Sequence, residues 1–282
     1  DIDELFVRAA RRDFQPVFTG ITAQIRAAGT TRRFQSSNVM GVVNGSHETR
    51  RDDVVVYTAH YDGLGIGAAV DGDSIYNGAY DNASGVALLL EMAAGFARLR
   101  EPPGRSVLFL FTTAEEAGML GASWYVRRPA FPIQRTVAAL NIDGANLWGE
   151  TRDIGAVGLE RSTLGAVYRT HAAALGLQVA NERAPGKGFY FRSDQFPFAR
   201  AGVPALYLDH GTDFRNRPSG WGDATLFRYE TDRYHLPADR YDPGFDLAGA
   251  AQQGRHAFLL GLDVANTPAR PRWHPGGNAG LR

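Results

Sequence analysis

Cysteine is missing from the whole chain. Its absence removes disulfides, thiolate nucleophiles and cysteine-rich zinc sites together, and leaves His, Asp and Glu to hold any metal. It also suits an oxidising, extracytoplasmic setting, periplasmic or secreted, which we take as the expected location. No stretch approaches the roughly 18 apolar residues of a membrane span, so no membrane partner is expected. Net charge is lacking as well, because 30 Lys and Arg balance 30 Asp and Glu. A neutral chain lacks the basic footprint of a nucleic-acid or anionic-lipid binder, and no nucleic-acid partner is expected. The opening "DIDELFVRAARRDF" has no signal-peptide core, which fits a mature or excised fragment. Neither the source compartment nor the oligomeric state is encoded in these features.

What remains is an ordinary globular composition: 282 residues, 44% hydrophobic and 21% charged. Apolar runs and periodic segments alternate along it. "NVMGVVNGS" and "DDVVVYTAH" read as neighbouring strands, "GVALLLEMAAGFARLR" as a helix with a basic end, and "RSVLFLFTT" as a strand buried on both faces. "GMLGASWYVRR" is a helix stopped by Pro129, "TVAALNID" a strand, and "RSTLGAVYRTHAAALG" a helix that Gly176 can end. "QFPFARAG", "VPALYLDHG" and "DLAGAAQQGRHAFLLGLDVAN" read as helix, strand and long helix. The alternation predicts an α/β fold, a three-layer α/β/α sandwich around a twisted, mostly parallel, mixed sheet. We expect a single domain over 1–282, with an appended helix and edge strand over 1–36 and an extended, Pro- and Gly-rich tail over 268–282.

Polar residues gather at the strand ends. His60, the pair Glu115 and Glu116, Asp143 and Asp209 each follow the C-terminal end of a predicted strand, the edge where open α/β sheets bind ligands. Glu115 and Glu116 are the oddest, since two adjacent carboxylates leaving a core strand repel each other and resist desolvation. Adding Asp81 of "YDNASG" and His235 of "RYHLPAD" gives two imidazoles and several carboxylates, a nitrogen and oxygen set suited to zinc. That is too many donors for one tetrahedral zinc with an open position. It fits two zincs sharing a carboxylate.

Taken singly, each residue has a plainer reading. A histidine after a strand is usually a structural hydrogen-bonding residue; Asp143 could make a turn with Gly144, and Asp81 could cap a helix. Asp239 reads as fixing the loop of His235, and not as a ligand. His47, His171, His256 and His274 read as structural, whereas His210, on the active edge, is a candidate for touching substrate. "DGLGIGAAVDG" imitates a dinucleotide loop but fails the glycine spacing. There is no H-E-x-x-H, P-loop or G-x-S-x-G.

"TAHYD", "YDNASG", "AEEAG", "NIDG" and "RYHLPAD", in this order and joined by "YFRSDQFPFARAGVPALYLDHG", resemble the two-zinc aminopeptidase family over about 38–266. Its superfamily also holds glutamate carboxypeptidases, glutaminyl cyclases and a non-catalytic receptor. The resemblance implies the phosphorylase/hydrolase-like zinc peptidase fold and two zinc ions per chain. It implies an exopeptidase that removes N-terminal residues from peptides with a free amine. It further implies that His60 and Asp143 bind one zinc, that Glu116 and His235 bind the other, and that Asp81 bridges them. Glu115 is then the general base, and Tyr234 helps polarise the scissile carbonyl. The backbone at Arg192 helps hold the free amine, Asp62 orients the imidazole of His60, and the Asp81–Asn82 peptide is cis. Asp194 is expected either behind the ligands or as a helix N-cap. The segment between His60 and Asp81 is longer than in compact relatives, and we expect a surface loop over roughly 63–77.

Phe191, Phe214, Trp221 and Phe227 fall near these motifs in sequence order and are candidates for a hydrophobic substrate pocket. Two other activities stay open. A carboxypeptidase needs a cationic pocket, for which Arg215, Arg217 and Arg228 are available. A glutaminyl cyclase works with one zinc and releases ammonia. A non-catalytic module should have lost ligands, and all five are present.

Overall fold

The computed structural model describes residues 1–29 and 33–281. The chain divides into two compact units, Asp1–Gln35 and Ser36–Arg282. In the smaller unit α1 (Ile2–Ala9) starts at Asp1, whose carboxylate accepts from the amide of Asp3, a standard N-terminal cap. No strand occurs among its described residues. The expected edge strand lies just beyond it.

The larger unit runs β1 (Val39–Val43), β2 (Val54–His60), β3 (Gly65–Val70), β4 (Asp73–Tyr76), α2 (Gly85–Ala97), β5 (Ser106–Thr112), α3 (Leu120–Arg127) and β6 (Thr136–Ile142). It continues with β7 (Asp153–Val157), α4 (Leu164–Ala174), β8 (Gln178–Val179), α5 (Gln195–Arg200), β9 (Ala205–His210), α6 (Trp221–Asp232) and α7 (Ala248–Asn266). Seven strands form one sheet in the order β1-β5-β2-β6-β9-β7-β8. β5, β2, β6 and β9 are parallel, while β1 pairs antiparallel with β5, and β7 antiparallel with β9.

β1 and β2 are therefore not neighbours, contrary to the sequence reading. β5 returns through the α2 crossover and inserts between them, as a parallel pair requires. β1 is left as an edge strand that is largely exposed. The pleat then sorts side chains between two helical layers. Val55, Tyr57 and Ala59 of β2 and Val107, Phe109 and Phe111 of β5 pack in the cluster that holds α2, α4 and α7. Val54 and Val56, with Leu108 and Leu110, face the cluster that holds α3 and α5. Strands covered on both faces read as continuous apolar runs, which is why these two were visible in the sequence.

Two expectations need correction. The region over 63–77 is not an irregular loop but the β3–β4 hairpin, outside the main sheet and exposed along all of β3. The tail is extended only as far as Trp273 and then turns. Arg270 pairs with Asp53 at 2.5 Å, Trp273 donates its indole N–H to the carbonyl of Gly202 at 2.9 Å, and Leu281 is buried. No described helix is long and apolar enough to cross a membrane.

Candidate metal centre and active site

The C-terminal ends of β2, β5 and β6 lie side by side in the sheet, so His60, the glutamate pair and Asp143 emerge together. His60 Nε2 lies 3.0 Å from Asp143 Oδ1 and 3.1 Å from Asp81 Oδ1. His235 Nε2 lies 3.1 Å from Glu116 Oε2 and 3.3 Å from Asp81 Oδ2. Asp81 thus turns one oxygen to each imidazole. Two donor triplets result, His60–Asp81–Asp143 and Asp81–Glu116–His235, each with its donor atoms within 4.8 Å of one another. Three carboxylates against two imidazoles leave excess negative charge, and the borderline nitrogen and oxygen donors fit zinc.

The electrostatics reflect that excess. Burial opposes a charge on His60, but Asp143, Asp62 and Asp81 overcome it and hold the imidazole far above its ordinary value. Hydrogen bonds donated to Asp81 and Glu116 push His235 up to about 10 against its partial burial. Burial works to raise Asp81, yet its bonds to His235 and His60 bring it down to about 2. Glu115 behaves oppositely. Burial, then Asp143, Asp194 and Glu116, push its carboxyl up to about 9 while His60 pulls the other way. A carboxyl held this high carries a proton readily, a property suited to acid–base work.

Asp62 answers how two adjacent glutamates can leave one strand. Its Oδ1 accepts the amide of Glu115 at 3.0 Å and its Oδ2 the amide of Glu116 at 3.3 Å. It also meets His60 Nδ1, through its backbone carbonyl at 3.2 Å and its carboxylate at 3.6 Å. Backbone geometry turns the two glutamates apart. Ala114 has φ +54°, and Gly118 and Gly121 close the turn below it. A Cβ on Gly121 would sit 2.2 Å from the carbonyl oxygen of Thr113, so only glycine fits there. His235 also has a positive φ, +58°, and its ring stacks on that of Tyr234 at 3.8 Å between centroids. A non-glycine residue in this region costs about 1–3 kcal/mol, and such residues cluster where function demands them. The Asp81–Asn82 peptide is cis.

Residues 38–260 match peptidase family M28. The chain belongs to peptidase family M28. It is 27% identical over 224 residues to leupeptin-inactivating enzyme 1 of Streptomyces exfoliatus, covering 78% of this chain and 47% of that protein. To aminopeptidase YwaD of Bacillus subtilis it is 26% identical over 220 residues, covering 77% and 44%. The chain thus spans about half the length of these curated relatives. Its fold superposes on a zinc aminopeptidase from Bacillus subtilis with a TM-score of 0.60 at 22% identity, covering 83% of this chain and 51% of that one.

Several residues around the two triplets were not singled out from the sequence. Ser193 donates to Asp143 Oδ2 at 2.6 Å and accepts from Asn141 Nδ2 at 2.7 Å; Tyr207 donates to the carbonyl of Asp143 at 2.7 Å. Asn82 accepts the amides of Gly85 and Gly144 and donates to the carbonyl of Ile142, joining the Asp81 segment to the end of β6. Asp194 stands at the N-cap position just before α5, but its side chain makes no capping hydrogen bond. Its carboxyl is wholly buried and bonded to the hydroxyl of Thr112, and burial raises it to about 7.

A cavity of about 490 Å³ opens beside Asp81 and Asp143 and is lined by Tyr80, Phe189, Arg192, His210, Tyr229 and Tyr234, among others. None of the four expected pocket aromatics lines it. Phe191 packs on Tyr190 and Phe196. Phe214 is buried against Trp221, and Trp221 borders a separate cavity. Phe227 is 69% exposed on the far side of α6, because helical spacing turns Leu226 and Tyr229 inward instead. Phe189, two positions from Phe191, lines the cavity instead. His210 lines the cavity; burial lowers its pKa, Nδ1 lies 2.8 Å from the carbonyl of Gly211 and Nε2 is 3.0 Å from the Tyr80 hydroxyl.

Proposed function

We propose that this M28 chain is a two-zinc aminopeptidase acting on peptides with a free N-terminus. The observation that carries the reading is the pair of donor triplets sharing Asp81, which with Asp143 lines the cavity. His60, Asp81 and Asp143 would hold one zinc, and Asp81, Glu116 and His235 the other. When bound, the pair would supply Lewis acidity that activates a water as nucleophile near neutral pH. With the charge of the neighbouring carboxylates offset by the bound cations, Glu115 would be ionised near neutral pH, take a proton from the water at its carboxylate during attack and return it to the leaving amine. The Tyr234 hydroxyl, at the cavity wall, donates to the scissile carbonyl oxygen as charge grows there. The carbonyl of Arg192 accepts from the substrate's free amine, so an internal peptide would leave that contact empty. The absence of cysteine supports an extracytoplasmic, periplasmic or secreted, place of work.

A carboxypeptidase reading gains no support from the arginines named for it. Arg215 is paired with Glu150, Arg217 lies over Trp221, and Arg228 lines the separate cavity. The deciding experiment gives the zinc-loaded chain three versions of one peptide: free, N-acetylated and C-amidated. We expect the free and amidated peptides to be shortened from the N-terminus and the acetylated one to survive. Shortening of the acetylated peptide from its C-terminus would overturn the reading. Ammonia release from N-terminal glutamine without shortening would do so as well.

A further inference from the structure

Asp81 carries most of the geometric demand at this site, because its two oxygens must serve both triplets at once. Its own position is set by a neighbour outside both. Asp239 Oδ2 accepts the amide of Asp81 at 3.1 Å, and both oxygens of Asp239 accept the amide of Tyr80, at 3.0 and 3.2 Å. The backbone carbonyl of Asp239 accepts the amide of Ala79 at 3.0 Å. One residue thus receives three consecutive amides of the segment that ends in Asp81.

Asp239 also belongs to the other ligand's loop. It follows His235 by four positions, and its amide closes a turn on the carbonyl of Leu236 at 3.1 Å. The same two stretches meet again where Asn77 Nδ2 donates to the carbonyl of Pro237 at 2.9 Å. The carboxylate is only 3% exposed, and a fourth donor, the hydroxyl of Tyr229 on α6, reaches Oδ2 at 3.1 Å. Every close partner of the Asp239 carboxylate is a donor. A group with two acceptor oxygens and no proton is what this position requires.

We propose that Asp239 is a positioning residue that sets the Asp81 carboxylate against His235, and through it the second zinc position. This rests on the two-zinc reading above. An amide at this position must turn an N–H toward an N–H or O–H donor, leaving one buried donor unpaired. The segment of Asp81 would then shift relative to the loop of His235, and the triplet spanning the two would lose affinity.

The test is Asp239→Asn in the full chain, stripped with chelator and titrated with zinc against a competing chelator. We expect wild type to bind two equivalents. In the variant the weaker equivalent should lose roughly 10- to 100-fold in affinity, the range found when a residue supporting a metal ligand is changed. The unpaired donor should lower the melt of the metal-free variant modestly, whereas a purely structural role would move the melt and spare the zinc affinity. Tyr229→Phe removes only one donor and leaves the carboxylate in place, so it should lose about one tenth of that effect while folding normally. Two equivalents at wild-type affinity in both variants would overturn the inference. A wild-type chain that binds fewer than two would instead overturn the two-zinc reading beneath it.

Discussion

The two donor triplets share a residue but are built differently. His60 and Asp143 sit at the ends of adjacent core strands, and His60 is 1% exposed. Around them Ser193, Tyr207 and Asp62 occupy the remaining polar positions. Glu116 and His235 come from a turn and a loop, and the side chain of His235 is 37% exposed. One position is set by the sheet and the other by connections between loops. The contrast predicts a tighter, slower-exchanging metal at the buried triplet and a weaker one at the loop triplet.

The sharpest check concerns the glutamate that belongs to neither. Glu115→Gln should keep both zinc equivalents yet lose roughly 10²- to 10⁴-fold in kcat, the usual worth of a positioned acid–base group. Steady-state kinetics beside metal analysis reads both quantities. Near-normal turnover would remove Glu115 from its role, and a lost zinc would place it among the ligands.

The comparison itself breaks or holds on a pair of histidine variants. In metal-free protein, His60→Ala removes the buried imidazole that Asp81 and Asp143 share, leaving Asp81 to His235 and Asp143 to Ser193, a loss of roughly 3–5 kcal/mol. His235→Ala acts at a partly exposed pair and should cost about 1 kcal/mol or less. On adding zinc, His235→Ala should still retain one equivalent. Urea melts and zinc content decide the matter, and equal losses at the two positions would erase the distinction between them.

The same contrast governs what the sequence could reveal. His60, the glutamate pair and Asp143 were legible because each follows a strand whose apolar run marks burial on both faces, whereas Asp81, just before α2, and His235, after α6, were read from their short motifs alone. β7, with its "DIGAV", and α6 were not seen, since α6 buries only Gly222, Leu226 and Tyr229 of its twelve residues and leaves little periodic signal. The β3–β4 hairpin lies outside the sheet and shows no alternation to read. The supports were hidden for a different reason. Asp239 reaches back to Tyr80 and Ser193 to Asp143, contacts that only the completed topology creates. The pocket aromatics were misjudged because nearness in sequence says nothing about which side of α6 a residue occupies.

Acid affects a third region, remote from both triplets, and must be separated from metal loss. His256 is buried beside Tyr168, with Nε2 3.0 Å from its carbonyl, and burial lowers its pKa to about 4. Below about pH 6.5 the unfolded chain takes up a proton that the folded chain refuses until about pH 4. Stability is therefore complete above pH 6.5 and falls as pH drops through that window, by about 3 kcal/mol for the metal-free protein. His256→Gln should flatten the slope of melting temperature against pH between 6.5 and 4. An unchanged slope would assign the acid loss elsewhere, with the triplets themselves the next suspects.

The smallest expected effect is the most informative about the buried triplet. Ser193→Ala removes the hydrogen bond to Asp143 Oδ2 but leaves Asn141 its second acceptor, Gln195, at 3.0 Å. The core should therefore fold normally. Asp143 becomes freer to rotate, and the tighter zinc equivalent should weaken about tenfold while the weaker one is unmoved. Asp239→Asn should do the reverse. If instead each variant weakened both equivalents alike, the bridging carboxylate would transmit every disturbance, and the two positions would have to be treated as one coupled unit.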